Sequence, residues 1–65
     1  MINPVQGIVG AGNALERLYG KKGYKLLVEK MKEKTHNDPQ VQMAIYKDES
    51  MTAEVRLVAL ATVGE

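Results

Sequence analysis

Few residues of this chain have side chains suited to covalent or acid–base chemistry. Ser50 is the only serine and His36 the only histidine, and 14 positions separate them in segments predicted to be loops. A catalytic nucleophile needs a base with an orienting partner, and no glycine elbow surrounds Ser50. We therefore expect His36 to be a helix-end or solvated loop residue, and we expect the chain not to be an enzyme.

The carboxylates and the missing cysteines exclude further kinds of site. The close acidic pairs are Asp48 with Glu49 and Glu29 with Glu33, and the second pair shares a helix face with lysines, where solvated ion pairing is the default. Cysteine is absent, which excludes disulfides, thiol nucleophiles and cysteine-ligated zinc. One histidine and a few carboxylates fall short of a metal-ligand set. We expect no catalytic residue, metal or cofactor.

Length and composition indicate one small globular domain over residues 1–65. Hydrophobic residues make up 45% and charged residues 26%, a balance typical of globular rather than disordered chains. No apolar run approaches the roughly 20 residues of a membrane span. No basic start precedes the apolar N-terminal stretch, unlike a signal peptide. We expect a cytoplasmic protein with no membrane contact.

Charge is spread unevenly although the net charge is only +1. Residues 17–34 carry seven basic and two acidic side chains, whereas residues 38–65 are net acidic. The basic side chains are Arg17, Lys21, Lys22, Lys25, Lys30, Lys32 and Lys34. Such a segment either binds an external anion or pairs with the acidic part of the same or a second chain, and composition leaves these open.

Two helices are predicted in the first half of the chain. Asn3 followed by Pro4 is a good helix start, and an apolar face then runs to about Tyr19. That face consists of Val5, Ile8, Ala11, Leu15 and Leu18. Gly20 and Gly23 predict a helix stop and turn. The second helix, about 22–35, has the apolar stripe Tyr24, Leu27, Val28 and Met31.

Three glycines weaken the first helix. Gly7, Gly10 and Gly12 each cost about 1 kcal/mol relative to alanine. They admit close approach of another helix, or they mark a frayed turn with the true helix beginning near Asn13. A phosphate-cradling loop is the least favoured interpretation, because no strand can precede Gly7.

The C-terminal half allows two interpretations. Asp38-Pro39 and Thr52 predict the starts of a third and a fourth helix, the latter over 53–63. The third would turn Val41, Ala44 and Ile45 inward. Apolar alternation within 40–45 and 51–57 favours instead a β-hairpin at about 40–63. The favoured fold class is all-α, a bundle of three to four short helices, and the alternative is α+β, two helices plus that hairpin.

Two of these segments resemble the inner helices of HEAT-like α-helical repeats. They are Asp38-Pro-Gln-Val-Gln-Met-Ala and Ala53-Glu-Val-Arg-Leu-Val-Ala-Leu. Their separation of 14 residues is shorter than the repeat period of about 30 to 47 residues. The resemblance implies helix rather than strand, and protein binding as the kind of function such folds perform.

The leading functional hypothesis is a non-enzymatic protein–protein interaction module, such as a small regulator or inhibitor of a larger protein. The helix at 53–63 is apolar nearly all round and needs burial all round, so we expect a second copy of the chain to complete it. The expected interface residues are Met51, Val55, Leu57, Val58, Leu60 and Val63.

The alternative hypothesis is a small nucleic-acid-binding regulator. Its contacts would be the seven basic residues of 17–34, which would bind phosphates without reading sequence. A helix-turn-helix at 39–63 is less favoured, because residues 53–63 offer few polar side chains to base edges.

Overall fold

The chain folds into three helices. The computed structural model describes the backbone of residues 4–65 and the side chains of residues 7–65. Helix α1 spans Pro4–Thr35, α2 spans Pro39–Lys47 and α3 spans Ala53–Val63. The described residues contain no strand, so the all-α class is confirmed and the hairpin at 40–63 is wrong.

Helix α1 is broken into two halves at Gly20. This residue has φ 73° and ψ 173°, a conformation essentially restricted to glycine. The predicted boundary between the first two helices therefore lies where the sequence placed it. The proposed cap Asn3 and the side chain of Val5 lie outside the described residues.

Side-chain caps begin both later helices. Asp38 Oδ1 accepts a hydrogen bond from the backbone N–H of Gln40 at 2.9 Å, with Pro39 in the first turn. Thr52 Oγ1 accepts from the N–H of Val55 at 3.3 Å. Both caps satisfy backbone donors that have no partner within the helix. These entry signals explain why helix prevails over strand despite the apolar alternation.

Helix α3 lies at the centre and packs against both α1 and α2, whereas α1 and α2 barely touch each other. Its buried side chains are Val58, Ala59, Ala61 and Thr62. Ala11, Leu15 and Met31 of α1 complete the core. One chain thus buries four side chains of α3 without a second copy, so the predicted dimer stays a candidate rather than a requirement of the fold.

Two of the predicted inward faces need correction. Leu18 is 70% exposed, because its half of α1 turns Ala11 and Leu15 toward α3 instead. In α2, Val41 and Ala44 are exposed while Gln42 is buried. The Gln42 amide donates to Thr35 Oγ1 at 3.0 Å, and Thr35 in turn donates to the Met31 carbonyl. This hydrogen-bonded pair lets a polar residue occupy the interior between α1 and α2.

Of the three N-terminal glycines, Gly12 admits a close neighbour, as predicted. A Cβ at this position would lie 3.2 Å from the Tyr24 hydroxyl. Gly10 is exposed with open space around it. The helix begins at Pro4, well before Asn13, so the frayed start near Asn13 is wrong.

Alanine substitutions at Gly20 and at Gly10 compare the cost of a side chain at the break with its effect in regular helix. Neither Gly10 nor Gly20 has a neighbour that a Cβ would meet within 4 Å. We expect Gly20→Ala to lower the free energy of unfolding by about 1–3 kcal/mol, because φ is positive there. Gly10→Ala, in regular helix, should raise it by up to about 1 kcal/mol. Urea unfolding followed by circular dichroism measures the change in the free energy of unfolding for each variant. Changes of the same sign in the two variants would contradict the positive φ assigned to Gly20.

Candidate protein-binding groove

An open apolar groove of about 380 Å³ lies between the second half of α1 and the beginning of α3. We call it the Met51 groove. It is lined by Leu27, Lys30, Met31, Lys34, Ile45, Met51, Glu54, Val55 and Val58. Six of these nine side chains are apolar, so the groove can accept apolar groups from a binding partner.

The floor and the rim of the groove differ in exposure. Met31 and Val58 are 8% and 5% exposed and belong to the core. Met51 and Val55 are 41% and 37% exposed, so both leave apolar surface in contact with water. A buried floor fixes the shape of the groove, while the exposed rim offers area that a partner would remove from water.

The structure divides the predicted interface residues into two groups. Met51, Val55 and Val58 come together in the groove. Leu57 and Leu60 are half-buried and pack against the core, and Val63 is half-buried toward the end of α3. The predicted interface residues therefore surround α3, and those at its beginning, together with Met51, line the Met51 groove.

The basic residues of 17–34 fall on different sides of α1, as their helical spacing shows. Residues four apart form a ridge along one side of a helix. One such ridge, which we call the lysine ridge, consists of Lys22, Leu26, Lys30 and Lys34. Another ridge consists of Lys21, Lys25, Glu29 and Glu33 and is neutral overall. Arg17 precedes the break, and Lys32 is half-buried.

Tyr19 and Glu54 interact across α1 and α3. The hydrogen bond that the Tyr19 hydroxyl donates to the Glu54 carboxylate is the main cause that raises the pKa of Tyr19. Glu54 also lines the groove. Glu54 therefore borders the groove on the α3 side, and Lys30 and Lys34 border it on the α1 side.

Arg56 of α3 packs against Tyr46 of α2. Arg56 donates from Nε to the Tyr46 carbonyl at 2.7 Å, and its guanidinium lies 5.9 Å from the centre of the Tyr46 ring. This side chain ties α2 to α3. Arg56, a basic residue of α3, therefore contributes to packing within the chain.

Ser50 and His36 lie in different connecting turns. Ser50 donates through its hydroxyl and its backbone N–H to Asp48 Oδ1, at 2.7 and 3.0 Å. These two hydrogen bonds hold the pKa of Asp48 below its usual value and close the turn between α2 and α3. His36 is exposed in the turn after α1, with a φ of 53°. Within the described residues, no group of three His, Asp or Glu is placed to hold a metal ion.

A second contact joins Glu65, which follows α3, to Tyr24 in the half of α1 that follows the break at Gly20. The Tyr24 hydroxyl donates a hydrogen bond to the Glu65 carboxylate. Burial, followed by this hydrogen bond and the negative charges of Glu65 and Glu16, raises the pKa of Tyr24 to about 12. We assign this contact a structural role, because it closes α1 over the end of α3.

Comparison with family models, with curated proteins and with solved structures finds no match to this chain. The resemblance to HEAT-like repeats stays a prediction. Across residues 4–65, none of the helices has both the length and the apolar content needed to cross a bilayer.

Sequence reasoning missed several lining residues of the groove. Leu27 and Met31 were assigned to the core stripe of α1, and Ile45 to that of α2. Lys30 and Lys34 were assigned to phosphate contact. The spacing of Leu27, Lys30, Met31 and Lys34 was a usable signal, since residues three and four apart share one helix face.

The raised pKa of Tyr24 predicts a loss of stability at high pH. The pKa rises from 10.0 to about 12 on folding, so the folded state holds the phenol proton more tightly. The stabilisation is complete below pH 10 and is lost as the pH approaches 12. Urea unfolding at several pH values should show this decline, and Tyr24→Phe should reduce it. Glu65→Gln should leave part of the decline, because burial raises the pKa of Tyr24 more than the hydrogen bond does. If the decline disappeared completely in Glu65→Gln, the pKa shift would be assigned to the hydrogen bond.

Proposed function

We propose that this chain is a non-enzymatic protein–protein interaction module that binds its partner in the Met51 groove. The observation that supports it best is the pair Met51 and Val55, exposed beside a buried apolar floor. Most isolated exposed apolar residues need no functional explanation. These two differ because they continue into a groove with Ile45, Leu27 and Val58.

Binding in such a groove follows from its composition. A partner that inserts apolar side chains removes the exposed surface of Met51 and Val55 from water. Methionine adapts its shape to the inserted group because it is unbranched and flexible. Charged groups at the rim, Lys30 and Lys34 on α1, orient the partner more than they add affinity.

A regulatory or inhibitory role is the form of interaction that we favour. In such a role, the Met51 groove would bind a surface segment of a larger protein. The side chains suited to chemistry, Ser50 and His36, are in separate turns, and Ser50 is engaged with Asp48. These placements support a binding function over a catalytic one.

Self-association through the same groove is a second candidate, favoured by the exposed Met51 and Val55. Light scattering coupled to gel filtration at micromolar concentration tests it. Because one chain already buries four side chains of α3, we expect the mass of one chain. A mass of two chains that returns to one in Val55→Asp would instead assign the groove to a symmetric dimer.

Phosphate contact through the lysine ridge is the remaining candidate, favoured by three exposed lysines on that ridge, with Glu29 and Glu33 beside them. Titration with generic duplex DNA at rising salt tests it. Affinity for DNA that falls steeply with salt and is lost in Lys30→Glu would support this candidate.

A charge placed in the groove should abolish partner binding without unfolding the chain. We expect Val55→Asp to lower affinity for helical peptides at least tenfold, because a partner would have to bury the new carboxylate. The matched control is Val41→Asp, since Val41 is 42% exposed against 37% for Val55 and does not line the groove. NMR titration with amphipathic peptides of acidic, neutral and basic composition locates and measures binding.

Circular dichroism of both variants verifies that the helices are retained. Binding of any peptide at groove residues, lost in Val55→Asp and kept in Val41→Asp, supports the proposed function. Failure of all three peptides to bind, or equal effects of the two substitutions, would contradict it.

A further inference from the structure

We propose that Met51 is an oxidation site, and that its sulfoxide prevents binding in the Met51 groove. This inference rests on the proposed function and adds a regulation of the same site by hydrogen peroxide. The thioether sulfur of Met51 attacks one peroxide oxygen, a sulfur–oxygen bond forms and the oxygen–oxygen bond breaks. The proton of the transferred oxygen passes to the departing hydroxide, which leaves as water. Sulfur is oxidised by two electrons and peroxide is reduced by two.

Exposure distinguishes Met51 from the other methionines whose side chains the structure describes. Met51 is 41% exposed, whereas Met31 is 8% exposed and belongs to the core. Met43 is half-buried on α2. Peroxide dissolved in water must touch the sulfur in order to transfer oxygen to it. We therefore expect Met51 to react before Met43 and Met31.

The position of Met51 allows it to be oxidised without loss of the fold. Met51 lies between α2 and α3, and its backbone N–H donates to the Asp48 carbonyl at 3.1 Å. It precedes Thr52, whose hydroxyl rather than any atom of Met51 caps α3. A sulfoxide oxygen on this exposed side chain can stay in water. At Met31 the same oxygen would lie in the apolar core, which is the destabilising case.

The sulfoxide would stand on the part of the groove that a partner must bury. Met51 and Val55 form its exposed rim above the floor of Met31 and Val58. An apolar side chain inserted there would remove water from the sulfoxide oxygen and offer no hydrogen bond in return, which costs free energy. Oxidation also replaces a flexible apolar thioether, suited to varied apolar groups, by a polar and chiral group.

Selective oxidation is measured on the full chain without a partner. Limiting hydrogen peroxide is added, and tandem mass spectrometry of the intact chain locates each added oxygen. We expect sulfoxide at Met51 before it forms at Met43 or Met31, with the helical circular dichroism spectrum retained. Earlier oxidation of Met31 or Met43 would overturn the inference. Loss of the helices while Met31 and Met43 are still reduced would overturn it as well.

Binding is measured next, with whichever of the acidic, neutral and basic amphipathic peptides binds the reduced chain most tightly. We expect oxidation of Met51 to lower the affinity for this peptide roughly tenfold. Methionine sulfoxide reductases, which act on the two sulfoxide epimers, should restore it. The bound peptide should in turn slow oxidation of Met51 and leave that of Met43 unchanged, because Met43 does not line the groove.

Leucine variants assign the effect to one sulfur atom. Met51→Leu keeps an apolar side chain without a thioether, so it should bind the peptide and keep binding it after peroxide treatment. The matched control is Met43→Leu, which should lose binding after peroxide as the unchanged chain does. Met51→Gln places a polar group at the rim and should weaken binding before any oxidation.

The outcomes separate this inference from the proposed function. Unchanged peptide affinity in the chain that carries Met51 sulfoxide would overturn the regulation and leave the interaction module standing. Equal loss of binding in Met51→Leu after peroxide would also overturn it, because another methionine would then be responsible. Binding of none of the peptides to the reduced chain would overturn both proposals.

Discussion

Burial of α3 against α1 and α2 is the constraint on which the rest of this structure depends. The chain has no cysteine with which to cross-link itself, so apolar packing must supply its stability. Small side chains, Ala59 and Ala61, let α3 lie close to its neighbours, and both are at most 2% exposed. The break at Gly20 redirects α1 so that residues from both of its halves, Leu15 and Met31, reach the same core.

The groove follows from where this burial ends. Val58, Ala59, Ala61 and Thr62 are covered, whereas Val55, one turn earlier in α3, is not. The capped turn before α3 places Met51 beside it, held by Asp48 and Thr52. At the uncovered first turn of the central helix, the groove thus combines a buried apolar floor with exposed apolar surface.

Polar contacts fix the arrangement around this core. Gln42 bonds to Thr35 and sets the position of α2 relative to the end of α1, while Arg56 joins α2 to α3 through the Tyr46 carbonyl. These contacts use side chains that composition alone would assign to the surface. The lysine ridge remains on the outside because the buried face of α1 is occupied by Met31 and Thr35. Packing therefore decides which cations border the groove.

The sequence by itself determined the local structure. Asp38, Pro39 and Thr52 act through neighbours within one helical turn, and Gly20 through its own backbone, so helix starts and the break were predictable from residue types. The stripe from Tyr24 to Met31 was predictable for the same reason, since its period is that of a helix.

Tertiary structure decided which apolar residues face inward and which remain exposed. Leu15 and Leu18 have the same periodicity, yet one is fully buried and the other 70% exposed. Val41 and Gln42 exchange their expected places because a partner for the Gln42 amide, Thr35, lies on another helix. The groove likewise joins residues from all three helices. Periodicity specifies a face of each helix, but only the packing of helices distant in sequence specifies what covers that face.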